Sequence, residues 1–522
     1  MKLRQRFLLI LLLCLGGTAG ARECPDVQQL TGKRHLVAIS DLHFGLGKLG
    51  NQWVASEDFR WPQALAGFLE RISTCSKDRA DLVIAGDALE LWQPPKDIAC
   101  RGANQDTSCS KSEWVELTRR VVAAHKAELA AIGAFAARGA NRVYFVPGNH
   151  DAALHIDEVW HLVLAASGDS AGRVMRCSIL ERPPCSSRGV WLSEDGKILV
   201  EHGHQGEELN KFRQWPPVST IIDGVEYLER PWGQYFVQTL FNKEEGIYRV
   251  IDNIVPETAG AKLRILDRGI WSSVKDIARL VKFNIVTTSA HQKVALLSGP
   301  DKNAKAPEWD IRYARTQGYR LLVDALASDD PLRAVLTGSD AATLALQKEL
   351  SDTVESPTRM SDTEILTLCD QLAVRTNTRY CFPGKLGGIY QRLVERDAML
   401  GNYLGGVLGQ KPFVNVQVYI YGHTHELKSG FGVETPVRDV RAYNTGAFQR
   451  LVDGPGLERR AAAKNISPQA ALKTFENESL PPCYTAVIAA VGSAPLQVET
   501  VRWHMEENGQ GDFVSISDPR CQ

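Results

Sequence analysis

Carboxylate, imidazole and amide side chains recur in five short blocks of this 522-residue chain: Asp41-Leu42-His43, Gly86-Asp87, Gly148-Asn149-His150-Asp151, His202-Gly203-His204 and Gly422-His423-Thr424-His425. Such hard and borderline ligands suit Mn, Fe or Zn first, with Mg or Co also compatible, rather than thiophilic copper(I). Two divalent ions about 3.5 to 4 Å apart can activate a hydroxide, hold phosphoryl oxygens and spread the charge of an in-line displacement. A separation that short requires a shared carboxylate, and Asp87, directly after Gly86, is the candidate. Read singly, each block is weak, because a D-x-H occurs by chance and a G-D is usually a turn. Six of the twelve histidines fall inside these blocks, in order, which reverses that reading; His35, His125 and His291 have no such context and read as surface or structural.

Something must bring blocks so far apart in sequence to one place. Each ends a short apolar run that reads as a buried strand: His35 to Ser40, Leu82 to Ala85, Arg142 to Val146, Ile198 to Glu201, and Val416 to Tyr421. Runs of β-branched and aromatic residues that stop at Gly and polar residues are what a covered sheet requires. In open α/β sheets, ligands gather beyond the carboxyl ends of the strands, so donors placed just after strands can converge there. Arg441 to Asn444, Tyr484 to Val491 and Leu496 to Trp503 read as further strands that complete a second sheet, and Ser112 to Arg138 as one helix.

The five blocks, in this order, resemble the calcineurin-like metallophosphoesterase superfamily, whose pattern is D-x-H, G-D, G-N-H-D/E, a histidine after a strand, and G-H-x-H. The resemblance implies an α/β fold, a four-layer α/β/β/α sandwich, with a large, mainly helical insertion. It implies a phosphate-ester substrate and two divalent metal ions, one held by Asp41, His43, Asp87 and His425 and the other by Asp87, Asn149, His202 and His423. His150 then stands near the phosphoryl group as general acid or charge-stabilising donor. Relatives often carry an acid at the position of Glu90 that orients this histidine, and an imidazole needs such a partner to fix its tautomer. His204 either touches the phosphate or bonds a backbone carbonyl. Gly86 to Trp92 and Gly148 to Ala152 contain no Arg, unlike protein serine/threonine phosphatases, which clamp phosphate bidentately there. The stretch to Trp92 is similar to the G-D-x-x-x-x-W of UDP-2,3-diacylglucosamine pyrophosphohydrolases, although those usually have Arg where this chain has His150. The expected activity is hydrolysis of phosphomonoesters or phosphodiesters. Its rivals are a pyrophosphohydrolase or phosphodiesterase acting on a lipid-linked or nucleotide substrate, and a non-catalytic binding protein.

Lys2, Arg4 and Arg6, an apolar stretch from Phe7 to Leu15 and small residues ending at Ala21 read as a secretory signal peptide over 1–21, too short to span a bilayer. Periplasmic or secreted localisation follows, and no later segment reads as a transmembrane span. Ten cysteines remain after it, an even number that favours disulfides in an exported chain. Close spacing suggests Cys100 with Cys109, Cys177 with Cys185, and Cys369 with Cys381. Of 60 Lys plus Arg, three precede residue 22, so against 61 Asp plus Glu the mature chain is mildly acidic. That gives nucleic acid no support as a partner, since such binding needs many phosphate-neutralising cations.

Between His204 and Val416 lies chain that must fold back as an insertion, because the motifs on either side have to meet. The expected organisation is therefore a discontinuous core, 22–204 and 416–522, with an insertion at 205–415. Apolar residues recur at helical spacing from Ile270 to Val281, Tyr319 to Ala327, Ala341 to Leu350 and Ile389 to Leu408. Such faces pack on the core or on one another, or line a pocket that admits a lipid.

Overall fold

Period-two burial along one strand builds two cores at once. In Arg34–Ile39, Leu36 and Ala38 face one side and Val37 and Ile39 the other, all fully buried, because successive strand side chains point to opposite faces. The structure, a computed structural model, describes residues 24–29, 33–178, 183–186, 188–207, 210–255, 400–506 and 510–522. Arg34–Ile39 is central to a seven-stranded sheet ordered Gly511–Val514, Gln497–Met505, Cys483–Val491, Arg34–Ile39, Ala80–Ala85, Arg142–Val146, Val174–Arg176. A six-stranded sheet, ordered Leu427–Val433, Val440–Thr445, Val418–Tyr421, Ile198–Val200, Val190–Leu192, Cys185–Ser186, packs on it. Leu36, Ala38 and Val83 meet Ile198, Val200 and Ile420 between the two sheets.

Helices close both outer faces. Val37, Ile39 and Leu82 pack beneath Phe68 and Ile72 of helix Pro62–Cys75, Ile132 of Lys126–Ala137 and Val163 of Asp157–Ser167. Truncating Phe68 to Ala would cost about 3 to 5 kcal/mol, from lost transfer energy and the cavity left behind. Leu199, Tyr419 and Ala442 are covered by Leu404 and Leu408 of helix Leu400–Leu408. The result is the expected mixed α/β, four-layer sandwich. Parallel pairing of Val37 with Leu82 and of Val83 with Tyr144 in one sheet, and of Val200 with Ile420 in the other, keeps the carboxyl ends of the motif-bearing strands side by side.

Two expectations are corrected. Cys483–Val491 pairs antiparallel with Arg34–Ile39, Ile488 opposite Val37, so it and Gln497–Met505 extend the first sheet, and only Val440–Thr445 joins the second. Alternating burial marks a strand without naming its neighbour. The single helix expected from Ser112 to Arg138 is two, Lys111–Ala124 and Lys126–Ala137, parted at His125, where φ is −108° and ψ 33°. The His125 ring is buried between Glu57 and Glu128, 3.2 Å from each, and stacks on Phe44. Burial opposes its charge, but Glu128 and Glu57 overcome that and push the imidazole up to about 9.

Cys100–Cys109 and Cys177–Cys185 are bonded as expected, and Cys24–Cys75 and Cys483–Cys521 are bonded as well. Cys369, Cys381, the 1–21 segment and the helical patterns at 270–281, 319–327, 341–350 and 389–399 lie outside the described residues. The described start of the expected insertion contributes Thr220–Ile222 and Val225–Glu229, which form a three-stranded sheet with Thr107–Ser110. No described helix is long and apolar enough to cross a membrane.

Candidate metal centre

The backbone at the strand ends is bent into an uncommon conformation. Ten non-glycine residues among those described have positive φ, and five of them are Asp41, His43, Asp87, His423 and His425, between 48° and 71°. That region costs an L-residue roughly 1 to 2 kcal/mol, so other contacts must hold it. Asp41 N and His43 N donate to Gly86 O and Asp87 O, each at 3.0 Å, and His423 N donates to Asp41 Oδ2 at 3.0 Å. Two motif glycines are spatial necessities. A Cβ on Gly86 would lie 2.2 Å from His202 Nδ1, and one on Gly148 would lie 2.2 Å from Asp87 Oδ1.

The side chains form two donor groups, Asp41 with His43 and His425, and Asp87 with His202 and His423, each with ligand atoms within 4.8 Å of one another. In the first, Asp41 Oδ1 lies 3.3 Å from His425 Nε2 and 3.8 Å from His43 Nε2. In the second, His202 Nε2 lies 2.9 Å from both Asp87 Oδ2 and Asn149 Oδ1. Asp87 Oδ2 is also 4.0 Å from His43 Nε2, so this carboxylate stands between the groups. A third cluster, His43, Glu90 and His150, is already occupied by its own hydrogen bonds: Glu90 Oε2 is 2.6 Å from His150 Nδ1 and 2.9 Å from His43 Nδ1.

The electrostatics fit a cation. Burial works to raise the Asp41 and Asp87 carboxyls, but facing imidazoles, His425 for Asp41 and His202 for Asp87, overcome it and keep both below the usual carboxylate range. Burial likewise opposes charge on His202, and Asp87 pushes it up to about 9. The His202 proton holds positive charge that a metal would supply in exchange for it. Asp41 Oδ1 and His43 Nε2 are buried without a hydrogen bond, and an unpaired buried polar atom costs roughly 1 to 3 kcal/mol unless something binds it. Hard oxygen and imidazole donors with two atoms bare are the donor set of a divalent-cation site.

Residues 34–260 match the family model described as calcineurin-like phosphoesterase. That segment, 34–260, is similar to the calcineurin-like phosphoesterases. No curated protein and no solved structure matched the chain. His423 and His425 lie beyond the matched residues, and strand Val418–Tyr421, paired with Ile198–Val200, carries them to the others.

Around the two donor groups stand residues that sequence reading assigned differently or missed. Glu90 serves His43 as well as His150, and the salt-linked carboxyl is held down to about 2, because both imidazoles outweigh its burial. Trp92 stacks on His150 at 4.0 Å, and its backbone N–H donates to Glu90 Oε1 at 2.7 Å. Asp151 accepts from Gly148 N at 2.6 Å and Ala88 N at 2.7 Å, tying two motif loops together. His204 packs edge-on against Trp215, 4.3 Å between ring centres, and burial keeps it well below the ordinary imidazole range. Its Nδ1 has no hydrogen-bond partner among the described residues. Glu207, which no motif marks, hydrogen-bonds His423 Nε2. Its only signal was position, a carboxylate shortly after the His202 block.

Proposed function

We propose that this chain hydrolyses phosphomonoester or phosphodiester bonds with two divalent ions, Mn, Fe or Zn, seated between Asp41, His43, Asp87 and His425 and between Asp87, Asn149, His202 and His423. The observation that carries the reading is the Asp87 carboxylate standing between two convergent donor groups. Such ions, when bound, supply Lewis acidity and a nucleophile at neutral pH.

The chain's own residues do the rest. Glu90 fixes the His150 tautomer by accepting from Nδ1, which leaves Nε2 to hold the proton that the departing oxygen needs. Trp92, stacked on that ring, fixes its plane and excludes water from one side. The neutral His204 ring bounds the other side of the site. We read 22–204 and 416–522 as the core, 205–415 as an insertion bounding the substrate, and 1–21 as an export signal. Four disulfides among the described residues support an oxidising compartment.

The test is hydrolysis of p-nitrophenyl phosphate beside its bis-ester by metal-stripped protein titrated with Mn, Zn, Fe and Mg, with bound metal counted. Metal-dependent turnover at two ions per chain is the expected result, and the ratio of the two rates separates monoesterase from diesterase. Turnover equal with and without metal would overturn the reading.

A further inference from the structure

One buried acid next to a proposed ligand belongs to neither donor group. Along Ile198–Val200 the side chains alternate, Ile198 and Val200 between the sheets and Leu199 in the outer apolar layer, so the next two residues should part in the same way. They do. The His202 ring turns toward the first sheet, its Nδ1 2.9 Å from Ala85 O, and Glu201, 4% exposed, turns into the outer layer. There Tyr419 donates to Glu201 Oε1 at 2.7 Å and Tyr403 to Oε2 at 2.8 Å. Tyr419 comes from the strand that leads to His423, and Tyr403 from helix Leu400–Leu408, inside the expected insertion.

The fold alone does not call for this carboxyl. A buried acid costs free energy that its hydrogen bonds offset, and apolar side chains of similar shape in place of all three partners would hold the layer about as well. What the bonds add is direction. Glu201 N donates to Ile420 O at 3.2 Å and Gly422 N donates to His202 O at 3.0 Å, so the chain on both sides of the ligand is laddered to the strand of Tyr419 and its continuation. Directly after the ligand, Gly203 turns at φ 107°, where a Cβ would lie 3.0 Å from Tyr421 Cδ2. The turn His204–Gly206 then comes back to Tyr403, and a Cβ on Gly206 would lie 3.6 Å from its Cδ1. The Tyr403 ring thus touches the end of the loop while its hydroxyl holds the start. Between these two holds, His202 Nε2 has to stand 2.9 Å from both Asp87 Oδ2 and Asn149 Oδ1. A ligand ring with that many simultaneous contacts tolerates little rotation of the backbone beneath it.

We propose that Glu201 and Tyr403 are positioning residues for the second metal position, helix Leu400–Leu408 setting the orientation of His202 through the Tyr403–Glu201 hydrogen bond. The effect on an ion rests on the two-ion reading above; the seating of His202 does not.

The test uses the full chain and two readouts. In metal-free protein with ring-labelled histidine, the His202 resonance, assigned by its absence from H202N, should move in Y403F and E201Q while those of His43 and His425 stay. In competitive chelator titration with Mn or Zn, E201Q should weaken one of the two ions about tenfold and Y403F about threefold, at or below the usual cost of losing an outer-shell partner, and it should be the ion that H202N loses. L404A, which takes packing from the same helix but keeps both phenols, should lower the melting temperature and leave the resonance and both affinities in place. Y419F replaces E201Q if the melt shows that variant unfolded. A His202 resonance that stays put, affinities unchanged or lowered equally at both ions, or the same changes in L404A would overturn the positioning role and leave the two-ion reading standing. A resonance that moves as expected, in a chain whose wild type binds fewer than two ions, would keep the seating of His202 and overturn that reading.

Discussion

The two donor groups are held in opposite ways. Around Asp41 the support comes from behind: Ser40 Oγ and His423 N bond Oδ2, and Glu90 bonds His43 Nδ1, leaving Asp41 Oδ1 and His43 Nε2 bare at the front. Around Asp87 the donors satisfy one another, His202 Nε2 lying 2.9 Å from both Asp87 Oδ2 and Asn149 Oδ1, while His202 Nδ1 is fixed on Ala85 O. The first group therefore carries an unmet polar cost that a cation relieves, whereas the second must surrender internal hydrogen bonds to take one. Folding free energy and metal affinity are linked at the first position and compete at the second.

Removing the residue common to both groups erases the contrast. Asp87→Ala should lower kcat/KM by about 10³-fold or more, roughly 4 kcal/mol of transition-state stabilisation, with both ions lost when bound metal is counted; either ion retained at full occupancy would show that Asp87 is not shared. Glu90→Gln acts on the first group and on His150, and kcat should fall about 10²-fold with KM little changed, the signature of a proton-transfer partner. Glu207→Gln acts on the second group alone. Loss of an orienting carboxylate typically costs about 10- to 100-fold in metal affinity, and competitive chelator titration should find that loss confined to one of two ions.

The mildest probe is pH. In the metal-free protein Asp87 keeps His202 protonated up to about 9, and the ion must displace that proton. Apparent affinity at the second position should therefore weaken as pH falls below about 9, by about tenfold per unit, a slope measurable by calorimetry with proton uptake read from buffers of different ionisation enthalpy. His202→Asn should flatten it.

The sequence made the strand-end donors legible because their types are chemically narrow and each follows an apolar run that ends in Gly or a polar residue. Asp41, Asp87, His202 and His423 stand together as the block order implies. What stayed hidden depends on partners rather than patterns. Nothing in Cys483–Val491 says that its neighbour is Arg34–Ile39. His125 breaks a helix that reads as continuous, because two distant carboxylates and Phe44 receive its ring. Glu207 comes from a loop without periodicity, so only the folded arrangement reveals that it faces His423.

The strands on either side of the expected insertion are next-door neighbours, Ile198 paired in parallel with Val418 and Val200 with Ile420. Tyr403 and Tyr419 both donate to Glu201, one residue before His202, and so fasten the returning chain to the departing one. Each doubling of a flexible connection between fixed ends costs only about 0.6 kcal/mol. With its two ends tied to neighbouring strands, a connection there can change length at small cost without moving the strands that carry His202 and His423.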